Sequence, residues 1–417
     1  MTRTLAEPPT PVGVGECVEV HCERIVHRGL GLAHLGGQVV FLFGAVPGER
    51  VRARVTQRRA SYLNADVEEV LEAGAGRVEP PCPVFGECGG CQLQHLAYPL
   101  QLAAKRGVLE EELAARGVAP EHEVEVVGSA LEYGYRWRGE FHRGSQGTLG
   151  FKSRTGYQTV TVAGCPIHAA EINSALGGVG AAMAAEARGV QTVALTRVEE
   201  GLLLQTRPDT HASPRVALAA AGPGGPLLGT ESGSVAYRDR RFRVTPSSFI
   251  QLNQETLPRL YETVVDWLRG EVEGELVVDA YAGAGVLSVR LADLGATVVA
   301  VESNAAAARL AQLHAEMHAP GRVVVRRGEV ETLLPGISGC RAVVLDPPRS
   351  GLAPAVRGWL SLAGPPILLY LSCDVAALGR DLETLCRLGP YRLERVRLVD
   401  MFPQTYHFEV AALLRRW

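Results

Sequence analysis

From about Gly15 to Glu72 the chain alternates apolar and polar positions in short runs, "ECVEVHCERIV", "QVVFLFG", "ERVRARVTQRR" and "NADVEEVLEA", separated by turns such as "GLGLAHLGG" and "AVPGE". A period of two is that of a half-buried strand, and short strands at this spacing predict a small antiparallel barrel. Arg52, Arg54, Arg58 and Arg59 fall on its third and fourth runs. They form either a solvated polar face or, with Tyr62 as a stacking surface, a nucleotide contact. The Pro-rich "RVEPPCPVF" closes this region. "LQLAAKRGVLEEELAARG" then has helical spacing, and strand-like runs return in "YRWRGEFHRG" and "TLGFKSRTGY" as far as "YRDRRFRVTPSSFIQLNQ". From about Glu275 the apolar runs "ELVVDAYAG", "TVVAVES", "RVVVRRGE", "RAVVLDPP" and "PPILLYLSC" alternate with helix-like segments. This predicts a parallel, doubly wound sheet of the nucleotide-binding type.

Composition narrows the class. The chain has 417 residues, 47% hydrophobic and 21% charged, which suits a multi-domain globular protein. No apolar run reaches the roughly 18 residues of a membrane helix, and "MTRTLAEPPTPVG" reads as a short disordered tail without a signal-peptide core. The expectation is a cytoplasmic protein with no membrane partner and reduced cysteines. A net charge of -3 argues against a uniformly basic nucleic-acid binder. Lys105 and Lys152 are the only lysines, so the positive charge is carried almost entirely by arginine. Arginine suits bidentate phosphate contact and base stacking, and Arg136, Arg138, Arg143, Lys152 and Arg154 are candidate phosphate contacts.

The first apolar strand of the last third runs into "VVDAYAGAGVLS", with Asp279, Gly283 and Gly285 at the turn where a backbone can approach a ligand closely. Glu302 ends the next strand, in position to accept from ribose hydroxyls. The spacing D-x-Y-x-G-x-G, rather than G-x-G-x-x-G, points to S-adenosylmethionine over NAD, and no Walker-type lysine is present. Asp346 in "VVLDPPRSG" and Cys373 in "LLYLSCD" end the fourth and fifth strands, where ligands bind in such folds. Carbon 5 of uracil accepts a methyl group only after a nucleophile adds to carbon 6. A thiolate can add and later leave, which makes Cys373 the candidate. The carbon 5 proton must then be removed, and Glu409 in "MFPQTYHFEVAALL" is the candidate base.

Cys82, Cys88 and Cys91 form C-x5-C-x2-C, and Cys165 in "AGCPIH" makes a fourth thiol available. Three clustered cysteines and one distant one fit a [4Fe-4S] cluster better than the paired ligands of structural zinc, which remains the alternative.

"DAYAGAGVLS", "VLDPPRSGL", "LYLSCDVAALGRDL" and "DMFPQTYHFEV", in that order, together with "FIQLN" at Phe249 to Asn253, resemble the RNA 5-methyluridine (uracil-C5) methyltransferase family from about Val14 onward. The resemblance implies that Cys373 is the nucleophile and Glu409 the base. It also implies that Gln251, Tyr281, Glu302 and Asp346, beside Gly283 and Gly285, line the cofactor and uracil sites. Cys82, Cys88, Cys91 and Cys165 resemble the cluster ligands of its iron-sulphur members, and the N-terminal barrel resembles an OB-like TRAM module. The implied organisation is α/β and β: a tail at 1–13 and a TRAM domain at 14–74. A central α+β iron-sulphur domain follows at 75–95 with 127–248, and a Rossmann-like methyltransferase domain at 96–126 with 249–417. Barrel and cluster together tilt the expected RNA partner towards 23S rRNA, with a monomeric enzyme acting on it. The alternatives are the same chemistry on tRNA, or a non-catalytic iron-sulphur RNA-binding protein. Asp374, where the family mostly has Asn, and Tyr406 to Phe408 depart from the usual pattern.

Overall fold

The computed structural model describes residues 12–186, 189–208, 212–220, 228–229, 231–249 and 251–417. The expected tail, 1–13, therefore lies outside the described residues up to residue 11. The chain divides into two compact units. One is Met1–Val108 with Gln404–Tyr406, the other Leu109–Pro403 with His407–Trp417. Among the described residues no helix is long and apolar enough to cross a membrane.

The first unit carries β1 (Cys17–His21), β2 (Arg24–Val26), β3 (Leu30–Leu35), β4 (Gln38–Phe43), β5 (Arg50–Arg58) and β6 (Tyr62–Glu72), in the order β1-β5-β6-β4-β3-β2. The expected antiparallel pairing holds except between β4 and β6, which run parallel. Alternate residues point inward, so Val18, Val20, Val40, Leu42, Val51, Ala53, Leu63 and Ala65 form one buried cluster. The residues between them face water, and there Glu19 lies opposite Arg52, which lies opposite Glu69. Arg52 pairs with both glutamates, and Arg54 pairs with Glu68 at 2.5 Å. Two of the arginines considered for nucleotide contact are thus engaged in cross-strand ion pairs. Tyr62 meets Phe41 edge-on at 5.4 Å.

The second unit takes up the chain within α1 (Tyr98–Ala115), followed by β7 (Glu125–Val127), β8 (Arg138–Arg143), β9 (Leu149–Lys152), β10 (Thr159–Thr161), α2 (Ala170–Glu186), β11 (Thr192–Val198), β12 (Gly201–Arg207), α3 (Ala212–Ala220) and β13 (Leu228–Gly229). Strands β10-β9-β8-β11-β12-β13 form one sheet. Ile172, Leu176, Val179 and Met183 of α2 and Val216 of α3 pack on Phe141, Val193, Leu195 and Leu204 of that sheet.

The hairpin β14 (Gly233–Tyr237) and β15 (Arg240–Val244) leads to α4 (Leu257–Leu268), β16 (Leu276–Ala280), α5 (Val286–Ala292), β17 (Thr297–Glu302), α6 (Ala305–His318), β18 (Val323–Arg327), α7 (Val330–Leu333), β19 (Ala342–Leu345), α8 (Pro354–Ala363), β20 (Ile367–Ser372), α9 (Val375–Leu382), β21 (Tyr391–Val399) and β22 (Glu409–Arg416). The sheet order is β18-β17-β16-β19-β20-β22-β21-β7. Strands β16 to β20 are parallel, as expected. Every residue of β20 is buried, as a strand covered on both faces requires. The sequence reading did not anticipate that β22 runs antiparallel between β20 and β21. That reversal brings the first residue of β22 to the edge where the parallel strands end.

Candidate active site

The geometry begins with that edge. The last pair of the β20–β22 ladder is Ser372 with Val410. Cys373 is the next residue after Ser372, and Glu409 the one just before Val410. Glu409 is buried and Cys373 half-buried. Burial pushes the Cys373 thiol up to about 11, with the Glu409 and Asp346 carboxylates adding and the Arg349 guanidinium opposing. Burial likewise raises the Glu409 carboxyl well above the usual range, Asp346 adding and Arg349 opposing. The nucleophile candidate, the base candidate and the Asp-Pro-Pro loop therefore share one neighbourhood.

Asp346 follows β19, and its N–H donates to the Ala280 carbonyl at 3.3 Å. Its carboxyl is pushed up to about 7 by burial and by the neighbouring Asp279. Asp279 ends up at about 7 too: burial raises it, the Ser288 hydroxyl that donates to it at 2.5 Å opposes, and Glu302 raises it again. A row of acids thus runs from the glycine loop to the thiol.

The cofactor residues are also brought together. Glu302 ends β17, where it accepts from the Gly283 N–H at 2.8 Å and the Asn304 N–H at 2.6 Å. Tyr281, with φ 65°, is one of few non-glycine residues in the left-handed region, the kind of backbone outlier that gathers at ligand sites. Gly283 has φ 56°, and a side chain there would meet nothing within 4 Å. A ligand atom could therefore approach the loop at Gly283 without meeting protein atoms. Gly285, with φ 79°, lies 3.0 Å from Ala311 by the same measure, so α6 backs the loop closely. These features fit an adenosine-bearing ligand: a glycine cradle, and a fixed carboxylate at hydroxyl height. Gln251 is half-buried, and its carbonyl accepts from the Gln254 side chain at 2.6 Å.

Asp374, the departure from the family's usual Asn, caps α9 by accepting from the Ala377 N–H at 2.8 Å, a role either residue fills. In the other departure, Phe408 is buried in the second unit, whereas Tyr406 belongs to the first and meets the His27 ring edge-on at 5.7 Å.

Three residues with positioning roles escaped the sequence reading. Asp381 is fully buried and accepts from Leu352 N–H at 2.7 Å, Tyr370 hydroxyl at 2.7 Å, and Arg357 and Arg380. It ties the Asp-Pro-Pro loop to the strand and helix that flank Cys373. Asn253 is fully buried and donates to Met401 O at 3.1 Å and Ser129 Oγ at 2.9 Å while accepting from Thr256 N–H. His314 Nε2 accepts from the Arg243 N–H at 2.8 Å, so Nδ1 holds the proton and donates to Ala284 O at 2.7 Å, fixing the glycine loop from behind. The "GRDL" run was a visible signal for Asp381 and the "FIQLN" motif for Asn253. Nothing in the helical pattern marked His314.

The other cysteine group is less complete. None of Cys82, Cys88, Cys91 and Cys165 is in a disulfide. The Gly90 N–H points at Cys88 Sγ at 3.4 Å. Burial, and then the nearby Cys82, raise the Cys88 thiol, with the Gly90 N–H opposing. The donor chemistry fits an iron-sulphur cluster. Among the described residues, however, no group of three or more His, Cys, Asp or Glu side chains is gathered for a metal ion. The candidate phosphate contact Arg138 is used internally, donating to Thr196 Oγ1, Pro246 O and Ser248 O.

Residues 337–417 match the family model described as tRNA (Uracil-5-)-methyltransferase, and residues 11–67 match the TRAM domain. The chain is 31% identical to the 23S rRNA (uracil(1939)-C(5))-methyltransferase RlmD of Shewanella amazonensis, covering 98% of both chains. It is 33% identical to the protein of the same name from Chromohalobacter salexigens, over 94% of this chain and 88% of that one. In fold it matches the Pyrococcus abyssi tRNA (uracil-54, C5)-methyltransferase in complex with S-adenosyl-L-homocysteine. That match has a TM-score of 0.73 and 23% identity, and covers 95% of this chain and all of the other.

Proposed function

The chain belongs to the RNA (uracil-5) methyltransferase family and is an enzyme of that class, and from this premise we propose that it methylates carbon 5 of a specific uridine in 23S ribosomal RNA through a transient bond to Cys373. What supports the reading is that Cys373 and Glu409 each adjoin the last pair of the β20–β22 ladder, Ser372 with Val410, and that the Glu409 carboxylate raises the Cys373 thiol. The 23S target is drawn from the two relatives named above. S-adenosylmethionine, held at Tyr281, Gly283, Gly285 and Glu302, would supply the methyl group.

In this reading the uridine turns out of its stack so that its ring lies between Cys373 and the donor. The Cys373 thiol gives up its proton to water, and the thiolate adds to carbon 6. The electron pair of the C5–C6 double bond moves into the ring as an enolate, from which carbon 5 takes the methyl group. The Glu409 carboxylate then removes the carbon 5 proton. The C5–C6 double bond re-forms, and the Cys373 sulphur leaves with the electrons of its bond to carbon 6. A carboxylate raised by burial is a stronger base than one in water, which suits this step. Asp346 and Gln251 would hold the uracil and cofactor by hydrogen bonding. Cys82, Cys88, Cys91 and Cys165 are proposed as ligands of a [4Fe-4S] cluster on the strength of spacing and donor type, with no part in methyl transfer. The division into TRAM, central and catalytic domains is kept as part of this proposal.

The test is transfer of labelled methyl from S-adenosylmethionine to 23S rRNA and, separately, to tRNA, with 5-fluorouridine placed in the RNA that accepts it. Fluorine cannot leave as a proton, so a covalent protein–RNA adduct should accumulate with the wild-type enzyme and be absent with Cys373→Ala. An adduct that persists in Cys373→Ala would exclude this sulphur as the nucleophile. Methylation confined to tRNA would exclude the 23S assignment.

A further inference from the structure

Not all basic residues of this chain are available to a polyanion. On the TRAM strands the arginines face glutamates: Arg50 meets Glu19 and Glu72, Arg52 meets Glu19 and Glu69, and Arg54 meets Glu68. Elsewhere the balance differs. Between Glu140 and Glu171 there is no acidic residue at all, while Arg143, Lys152 and Arg154 lie in that interval. This is the stretch that forms the end of β8, then β9 and β10.

The turn between β9 and β10 is well tied. Ser153 N–H donates to Gln158 O at 2.8 Å, Gly156 N–H donates to Ser153 O at 2.8 Å, and Gln158 N–H donates to Ser153 Oγ at 3.3 Å. On this closed turn Tyr157 is 90% exposed. Lys152 and Arg154 precede it, at the end of β9 and on the turn, and are exposed as well. A single exposed tyrosine is ordinary on a surface, and its ring offers a face on which a base can stack. An exposed ring and two exposed cations on one turn, in a sequence interval without acids, are complementary to an unstacked base with its phosphates.

The topology puts this turn in a useful place. β9 runs antiparallel to β8, so the β9–β10 turn lies at the end of the sheet where β8 begins. Two residues before that start, Arg136 bridges Asn253 of the "FIQLN" segment. The exposed ring and the segment bearing Gln251 therefore lie towards the same end of one sheet.

We infer that the β9–β10 turn is a docking finger for single-stranded RNA, Tyr157 stacking on an unpaired base near the target uridine while Lys152 and Arg154 meet its phosphates. The inference rests on the RNA-methylating reading above. Its specificity is for unpaired nucleotides rather than for a sequence, since every base has a face to stack.

The experiment compares full-length wild type, Tyr157→Ala, Tyr157→Phe and Lys152→Ala for binding to a fluorescent mixed-sequence single-stranded RNA and for methyl transfer to 23S rRNA. Tyr157→Ala should weaken RNA binding by roughly 10-fold, with S-adenosylmethionine affinity and melting temperature unchanged. Tyr157→Phe, which keeps the ring, should bind as wild type does. Lys152→Ala should lower the slope of log affinity against log salt by about one. Unchanged RNA affinity in Tyr157→Ala, or a Phe variant as weak as the Ala one, overturns the inference. So does a loss seen only with intact ribosomal particles and not with naked RNA, which would make the finger a protein contact. If wild type methylates RNA and Tyr157→Ala does so with the same KM, the finger alone is wrong. If wild type methylates none, the proposed function fails first.

Discussion

The water-facing side of the N-terminal strands and the carboxyl edge of the large sheet handle charge in opposite ways. On the strands each arginine at positions 50, 52 and 54 has a glutamate across the ladder, and the pairs are exposed. At the sheet edge Asp279, Asp346 and Glu409 gather with Arg349 as the opposing cation, and burial lifts all three above the usual carboxyl range. Exposed, paired charges cost a fold little and contribute little. Buried acids close to one another are costly, and such costs persist where chemistry needs them. The contrast picks out the neighbourhood of the proposed reactive groups without reference to any motif.

The comparison can be broken or sharpened in four measurements. The largest effect is expected for Glu409→Gln, which keeps shape and removes the base. Turnover should fall by about 10³-fold, with adduct forming on normal uridine-containing RNA and decaying slowly; rapid decay would move the base elsewhere. Next is Glu49→Ala in the first unit. Glu49 is fully buried, accepting from Arg77 at 2.5 and 2.7 Å and from Val46 N–H at 2.8 Å. Although burial pushes its carboxyl up, the Arg77 hydrogen bonds prevail and hold it below the ordinary value. Removing it strands a partly buried guanidinium, so chemical denaturation should show a loss of about 3 kcal/mol.

Asp279→Asn should act in the other direction. The folded protein raises this carboxyl from 3.8 to about 7, so it favours the protonated form. Stability is then complete below the unfolded value and is lost as pH rises through about 7. Asparagine is neutral throughout. The variant should melt higher than wild type at pH 8, by about 2 kcal/mol in stability, and the two should converge near pH 4. A variant equally destabilised at both values would mean the charge is already compensated. The smallest effect belongs to Arg54→Ala, whose melting temperature should be indistinguishable from wild type; a clear drop would show that the exposed ladder is a structural support after all.

Much of the large sheet was legible in the sequence because parallel strands buried on both faces read as unbroken apolar runs, Ile367 to Leu371 being one. The candidate site residues at the ends of those strands stand in short local motifs. Glu409 was legible as the start of a strand. Its nearness to Cys373 was not, because that depends on a reversed strand slotting into the sheet, a pairing between distant segments with no local signal. For the same reason the arginines of the barrel could not be divided into neutralised and available ones. Cross-strand register decides which cation meets which acid. Asp381 and His314 act through partners far along the chain, Leu352 in one case and Ala284 in the other. Spacing along a helix carries no trace of such partners.

The insertion of β22 between β20 and β21 also bears on the order of folding. Both of those strands precede it along the chain and β21 reaches β20 only through it, so until it pairs the β20 border is an open gap in the ladder. Closing that gap is the same event that delivers the Glu409 carboxylate to the thiol. An incompletely folded molecule would therefore be prone to self-association while lacking chemical competence.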